Sequence, residues 1–102
     1  MAATPNAALK FEDLDFQPHD IGNGVQARTR YPNGYGASVV QFDGSYGSEH
    51  GLYELAVLHD DGEDLRITYG TPISNDVMGW LSPEAVTYQL GRIAALPPVE
   101  KN

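Results

Sequence analysis

Cysteine is absent from the chain. Its absence removes a disulfide framework, a thiolate metal site and a cysteine nucleophile together, so the fold must hold by packing alone. Basic residues are scarce: six lysines and arginines stand against fourteen acids, a formal net charge of −8, with no lysine between Lys10 and Lys101. That balance repels nucleic-acid backbones and anionic membrane surfaces, both of which attract basic patches, so no direct contact with nucleic acid is expected. Long hydrophobic runs are missing too. No stretch approaches the roughly 20 apolar residues that span a bilayer. The opening MAATPNAALK lacks the basic start and continuous apolar stretch of a secretory signal. A cytoplasmic protein with no membrane association is expected.

What remains is the composition of a folded domain. The 102 residues are 41% hydrophobic and 20% charged, with one tryptophan, six tyrosines and three phenylalanines to supply large pieces of core. A chain of this size buries roughly 65% of its unfolded surface, enough for one small domain. Residues 1–8 show no apolar periodicity and read as a loose end, residues 9–97 as a single domain, and residues 98–102 as a tail.

Along the domain the hydrophobic period is mostly two. In LKFEDLDF the apolar Leu9, Phe11, Leu14 and Phe16 fit a bulged strand or a short turn equally, and we assign a strand. PHDIGNG, with Pro18, Gly22 and Gly24, then breaks regular structure. GVQARTRY alternates Val25, Ala27, Thr29 and Tyr31 against Gln26, Arg28 and Arg30, a strand with one buried and one wet face. Asn33-Gly34 follows and favours a type I′ turn, in which both central residues take positive φ. YGASVVQF returns antiparallel to that strand. LYELAVLH from Leu52 is the longest apolar run and predicts a central strand buried on both sides. LRITY at 65–69 extends the meander.

The period changes near the C-terminus. Ser82 suits an N-cap, Pro83 the first helical turn, and Val86, Leu90, Ile93 and Ala94 form one apolar stripe, predicting a helix over Pro83–Ala95. Trp80 and Leu81, just before the cap, are placed to staple that helix to the sheet. The expected architecture is α+β: an antiparallel meander of four to five strands with one C-terminal helix packed on one face.

Chemistry-bearing groupings are few. DGSYGSEHG at 43–51 has glycines enough for a phosphate cradle, but it leads into a strand rather than a helix and carries Asp43 and Glu49 with no lysine. It reads as a long hairpin loop with Tyr46 packed beneath it or displayed at its tip. His19, His50 and His59 each neighbour a carboxylate, without the spacing of a metal site. DDGED at 60–64 lacks the alternating acids and distal glutamate of a calcium loop. No serine lies in a nucleophile elbow. We therefore assign no catalytic residue, cofactor site or metal site, and the chain is expected to be non-catalytic.

The succession KFEDLDFQPH, IGNGVQAR, YPNGYGASVVQF, GSYG, LYELAVL and ITYGTPISNDVMGWLSPEAV, with NGYGASVV, ELAVL and TPISNDVMGWLS its most specific parts, resembles a group of small uncharacterised proteins encoded by bacteriophages and prophages. The resemblance spans about residues 10–97. It implies a setting, an accessory protein in an infected bacterial cell, and no activity. In that setting the acidic charge suits a host or phage protein with a basic surface, such as nucleic-acid machinery or an antiviral nuclease. The same charge also serves solubility, since a magnitude of about 2 to 8 is ordinary for a small domain. The tentative partner-binding residues are Asp60, Asp61, Glu63 and Asp64, joined by Glu12, Asp13 and Asp15, with Tyr35 or Tyr46 as an aromatic anchor. The alternative is a self-associating accessory protein whose exposed aromatics meet in a homodimer.

Overall fold

The computed structural model describes residues 8–18, 24–42, 50–60, 65–67 and 78–98. Its elements are a 3-10 turn over Phe11–Asp13, β1 (Gln17–Pro18), β2 (Val25–Arg30), β3 (Tyr35–Gln41), β4 (Tyr53–Asp60), β5 (Leu65–Ile67), β6 (Met78–Leu81) and α1 (Pro83–Ala94). The strands form one antiparallel sheet in the order β1-β2-β3-β4-β5, crossed on one face by α1. This is the expected α+β meander, with β6 added. β4 pairs with β3 along one edge, while its other edge is shared by β6 at the Tyr53 end and β5 at the Asp60 end.

Alternation puts one side chain in two on the helix face, and the register lines these up across strands. Ala27, Val39 and Leu55 form one row and Thr29, Ala37 and Val57 the next, all buried. α1 closes over them with Val86, Leu90 and Ile93, each fully buried. Burying a side chain of this size contributes roughly 1.5–3 kcal/mol, so this trio holds the two layers together. Ala56 and Leu58 are buried on the opposite face, as the two-sided pattern of LYELAVLH required of a central strand.

The helix ends where its signals place it. The Ser82 hydroxyl accepts from the Ala85 amide at 3.2 Å, with Pro83 in the first turn, Glu84 beside the N-terminus and Arg92 in the last turn.

Three expectations are corrected. The segment assigned as a strand near Leu9 is a 3-10 turn followed by extended chain, and only Gln17 and Pro18 pair with β2, opposite Gln26 and Val25. Its apolar residues answer to α1 as well as to the sheet: the Phe11 amide donates to Thr87 Oγ1 at 2.9 Å, and Phe11, Leu14 and Phe16 pack against the core. Leu9 is exposed, whereas Ala8 is buried, its amide donating to Thr29 Oγ1 at 2.8 Å and its carbonyl accepting from the Tyr31 hydroxyl. Order therefore includes Ala8, and residues 1–7 lie outside the described residues.

The β2–β3 turn is not type I′. Asn33 does not take positive φ, Gly34 does at 89°, and the Gly34 amide donates to the Tyr31 carbonyl at 3.2 Å while the Tyr31 amide donates to the Tyr35 carbonyl at 2.8 Å. This is a three-residue loop, a type I turn led by Pro32 and closed by a left-handed glycine. Proline explains the choice, because its fixed negative φ excludes the type I′ geometry if it takes the first central position.

Finally, Trp80 does not staple the helix. Leu81 packs against the core while Trp80 turns outward, 56% exposed.

Candidate functional site

The sheet is regular until it reaches β6. There Tyr53 pairs with Leu81 and Leu55 with Met78, so three steps along β6 answer two along β4, and one extra residue is accommodated as a bulge. Met78 and Leu81 both pack toward the helix, which leaves Gly79 and Trp80 to absorb the extra residue. Trp80 takes it up at φ 61°, and among the described residues it alone, glycines aside, has positive φ. For a bulky L-residue that region costs roughly 1–2 kcal/mol, and the adjacent Gly79 could have adopted it freely. The indole meets the His50 ring at 5.6 Å between centroids, with His50 also exposed, so the pair forms a surface feature rather than a core one.

The chain beside this bulge is aromatic underneath and acidic outside. Tyr53, paired with Leu81, carries Phe11 at 4.9 Å edge-on and Phe16 at 5.6 Å, and Phe11 lies 5.5 Å from Phe16. That three-ring cluster anchors the 3-10 turn, whose Glu12 and Asp13, with Asp15 just beyond, are exposed. Packing the turn against Tyr53 thus holds three carboxylates at the end of the molecule where β4 begins, β6 ends and α1 starts. Lys10 is the neighbouring base.

Of the other candidates, Tyr35 is half-buried, packs against the core and faces His59 across the β3–β4 pair at 6.0 Å between rings, a core-flanking position rather than a displayed one. Asp60 ends β4 opposite Leu65. Asp61, Glu63, Asp64 and Tyr46 lie outside the described residues, as does most of DGSYGSEHG, of which His50 and Gly51 are seen. The structure therefore exposes Glu12, Asp13 and Asp15 on the turn held by Tyr53 and, separately, exposes a tryptophan that the sequence reading had assigned to packing. A signal was present: the single tryptophan of the chain sits after glycine in MGWLS, where no period-two alternation accounts for it.

Among the described residues no three of His, Asp, Glu or Cys gather as metal ligands. One perturbed titratable group, Tyr31, lies away from this corner: burial pushes its phenol well above the usual range, offset in part by its hydrogen bond with Thr29. No helix among the described residues is long and apolar enough to cross a membrane. No family model, curated protein or solved structure matches the chain.

Proposed function

We propose that the protein is a non-catalytic binding module for a basic protein partner, with Trp80 as the aromatic anchor and Glu12, Asp13 and Asp15 as the steering charge. The observation that carries this reading is that a fully polar or glycine residue would sit in the β6 bulge at lower cost, yet the position holds an exposed tryptophan in the left-handed region. Strain kept at an exposed large aromatic, with a glycine beside it, fits selection for contact rather than for stability. The exposed acids of the 3-10 turn fit a basic surface, and a net charge of −8 extends the attraction. The resemblance to phage-encoded proteins directs the search for that partner to host bacterial proteins, nucleic-acid machinery and antiviral nucleases first.

Two substitutions at one position test this. W80G removes the ring and relieves the backbone, so its stability in urea should stay within about 1 kcal/mol of wild type. W80A removes the ring and keeps the strain. Both should weaken binding to a captured basic partner by about 30-fold or more, the loss of a central anchor worth at least about 2 kcal/mol. Reversing Glu12 and Asp13 to lysine should chiefly slow association, and should matter less as salt rises. Should W80G lose more than about 2 kcal/mol of stability, the indole is a structural residue and the anchor reading fails.

A further inference from the structure

The outer face of α1 carries a second feature, independent of the Trp80 corner. Tyr88 is 65% exposed, the largest exposure among the large hydrophobic residues described. Glu84 stands one turn before it and Arg92 one turn after, both exposed. The Arg92 guanidinium lies over the Tyr88 ring at 5.8 Å and donates to Gln89 Oε1 at 3.2 Å, so its charge is held beside the tyrosine. Between these positions the helix is small: Gly91 is exposed and a Cβ built there meets nothing within 4 Å, and Ala85 is the residue three before Tyr88.

The apolar character continues off the helix. The Phe11–Thr87 bond and the burial of Ala8 against Thr29 and Tyr31 run the N-terminal segment alongside α1 in the opposite direction. Leu9, 53% exposed, lies on that path between the two anchored residues Ala8 and Phe11. On the helix itself, exposed Tyr88 and Gly91 lie between Glu84 at one end and Arg92 at the other.

We infer that this face pairs with a second copy of the chain, two α1 helices crossing antiparallel about a two-fold axis through Tyr88. The pattern is self-complementary under that operation and under no other simple one. A two-fold interface must present each residue to its symmetry mate's counterpart, so an acid and a base equidistant from the axis meet their opposites. Glu84 and Arg92 are each four residues from Tyr88, which sets Glu84 of one copy against Arg92 of the other, twice. Ala85 and Gly91 are each three residues away, so small meets small at both flanks and the helix axes can approach closely. The two Tyr88 rings meet at the centre, where aromatic anchors contribute most. A parallel pairing would instead set Glu84 on Glu84 and Arg92 on Arg92.

Sedimentation velocity over a concentration series tests the assignment through a charge swap. Wild type should show a reversible monomer–dimer equilibrium. E84R and R92E each place like charges together twice and should weaken association by about tenfold or more. The double variant E84R/R92E restores complementarity in the antiparallel register and should regain most of the lost association. Y88S, which alters no charge, should weaken it as well, and far-UV circular dichroism should show the helix intact in every variant because all three positions are exposed. W80G should leave the dimer unchanged, which separates this face from the partner surface. A wild type that stays monomeric throughout, a dimer indifferent to the single reversals, or a double variant no better than the singles would each overturn the proposal.

Discussion

Asn33 shows how much one side chain can carry that local sequence does not reveal. Its backbone occupies the β2–β3 turn, where asparagine is an ordinary choice, and its Oδ1 accepts from the Tyr35 amide at 3.0 Å. Its Nδ2 reaches across 60 residues of sequence to the end of α1, donating to the carbonyls of Ile93 at 2.9 Å, Leu96 at 3.1 Å and Ala94 at 3.3 Å. The last carbonyls of a helix lack partners within it, and here a turn from the sheet supplies the donor. Replacing Asn33 with alanine should leave part-buried carbonyls unsatisfied and cost about 1–3 kcal/mol in chemical denaturation. Asn33→Asp should be worse than alanine, because a carboxylate would face carbonyl oxygens at the negative end of the helix dipole. If alanine costs nothing measurable, the hairpin and the helix end are not coupled through this residue.

Among the elements, α1 and the β2–β3–β4 meander were legible from sequence because their signals are local. A stripe of Val86, Leu90 and Ile93, a serine before proline and a strict alternation from Val25 to Tyr31 each determine a face without reference to the rest of the chain. Leu90→Ala tests the central member of the stripe: with no exposed surface in the native state, it should lose about 2–5 kcal/mol to the cavity left between α1 and the sheet. A loss under about 0.5 kcal/mol would be that of a surface position. What escaped the sequence reading depends on partners far along the chain. The segment from Ala8 to Phe16 has no period of its own because Thr29, Tyr31, Tyr53 and Thr87 receive it in turn. β6 was missed for a related reason, its alternation being broken by the bulge that displays Trp80. Of the candidate site, the acids Glu12, Asp13 and Asp15 were legible as exposed charge, whereas the aromatic was sought at Tyr35, whose neighbours across the sheet half-bury it.

For the molecule as a whole, closure depends on Tyr31. Its ring belongs to the core and its hydroxyl donates to the Ala8 carbonyl, so the start of the described chain is fastened to the far end of β2 by a group that must stay protonated. Burial raises the folded-state pKa above the ordinary value near 10. The resulting stabilisation is complete below that value, and it falls as pH climbs beyond it, because the unfolded chain then releases a proton that the folded chain retains. Unfolding free energy should therefore drop steadily as pH rises above about 10, and Tyr31→Phe should flatten the drop while lowering stability at neutral pH through loss of the Ala8 bond. An unchanged alkaline slope in Tyr31→Phe would assign the effect to other groups. The position of Trp80 also governs how this protein can be observed. The chain has a single tryptophan, and it stands at the surface beside an imidazole. Indole emission, which moves to shorter wavelength when water is excluded, is therefore already close to that of an unfolded chain in the native state, so it would follow denaturation poorly. Near-ultraviolet dichroism of the clustered tyrosines and phenylalanines would follow it well. The same indole becomes a sensitive reporter when a partner covers it, since its light then shifts to the blue while every core ring stays as it was.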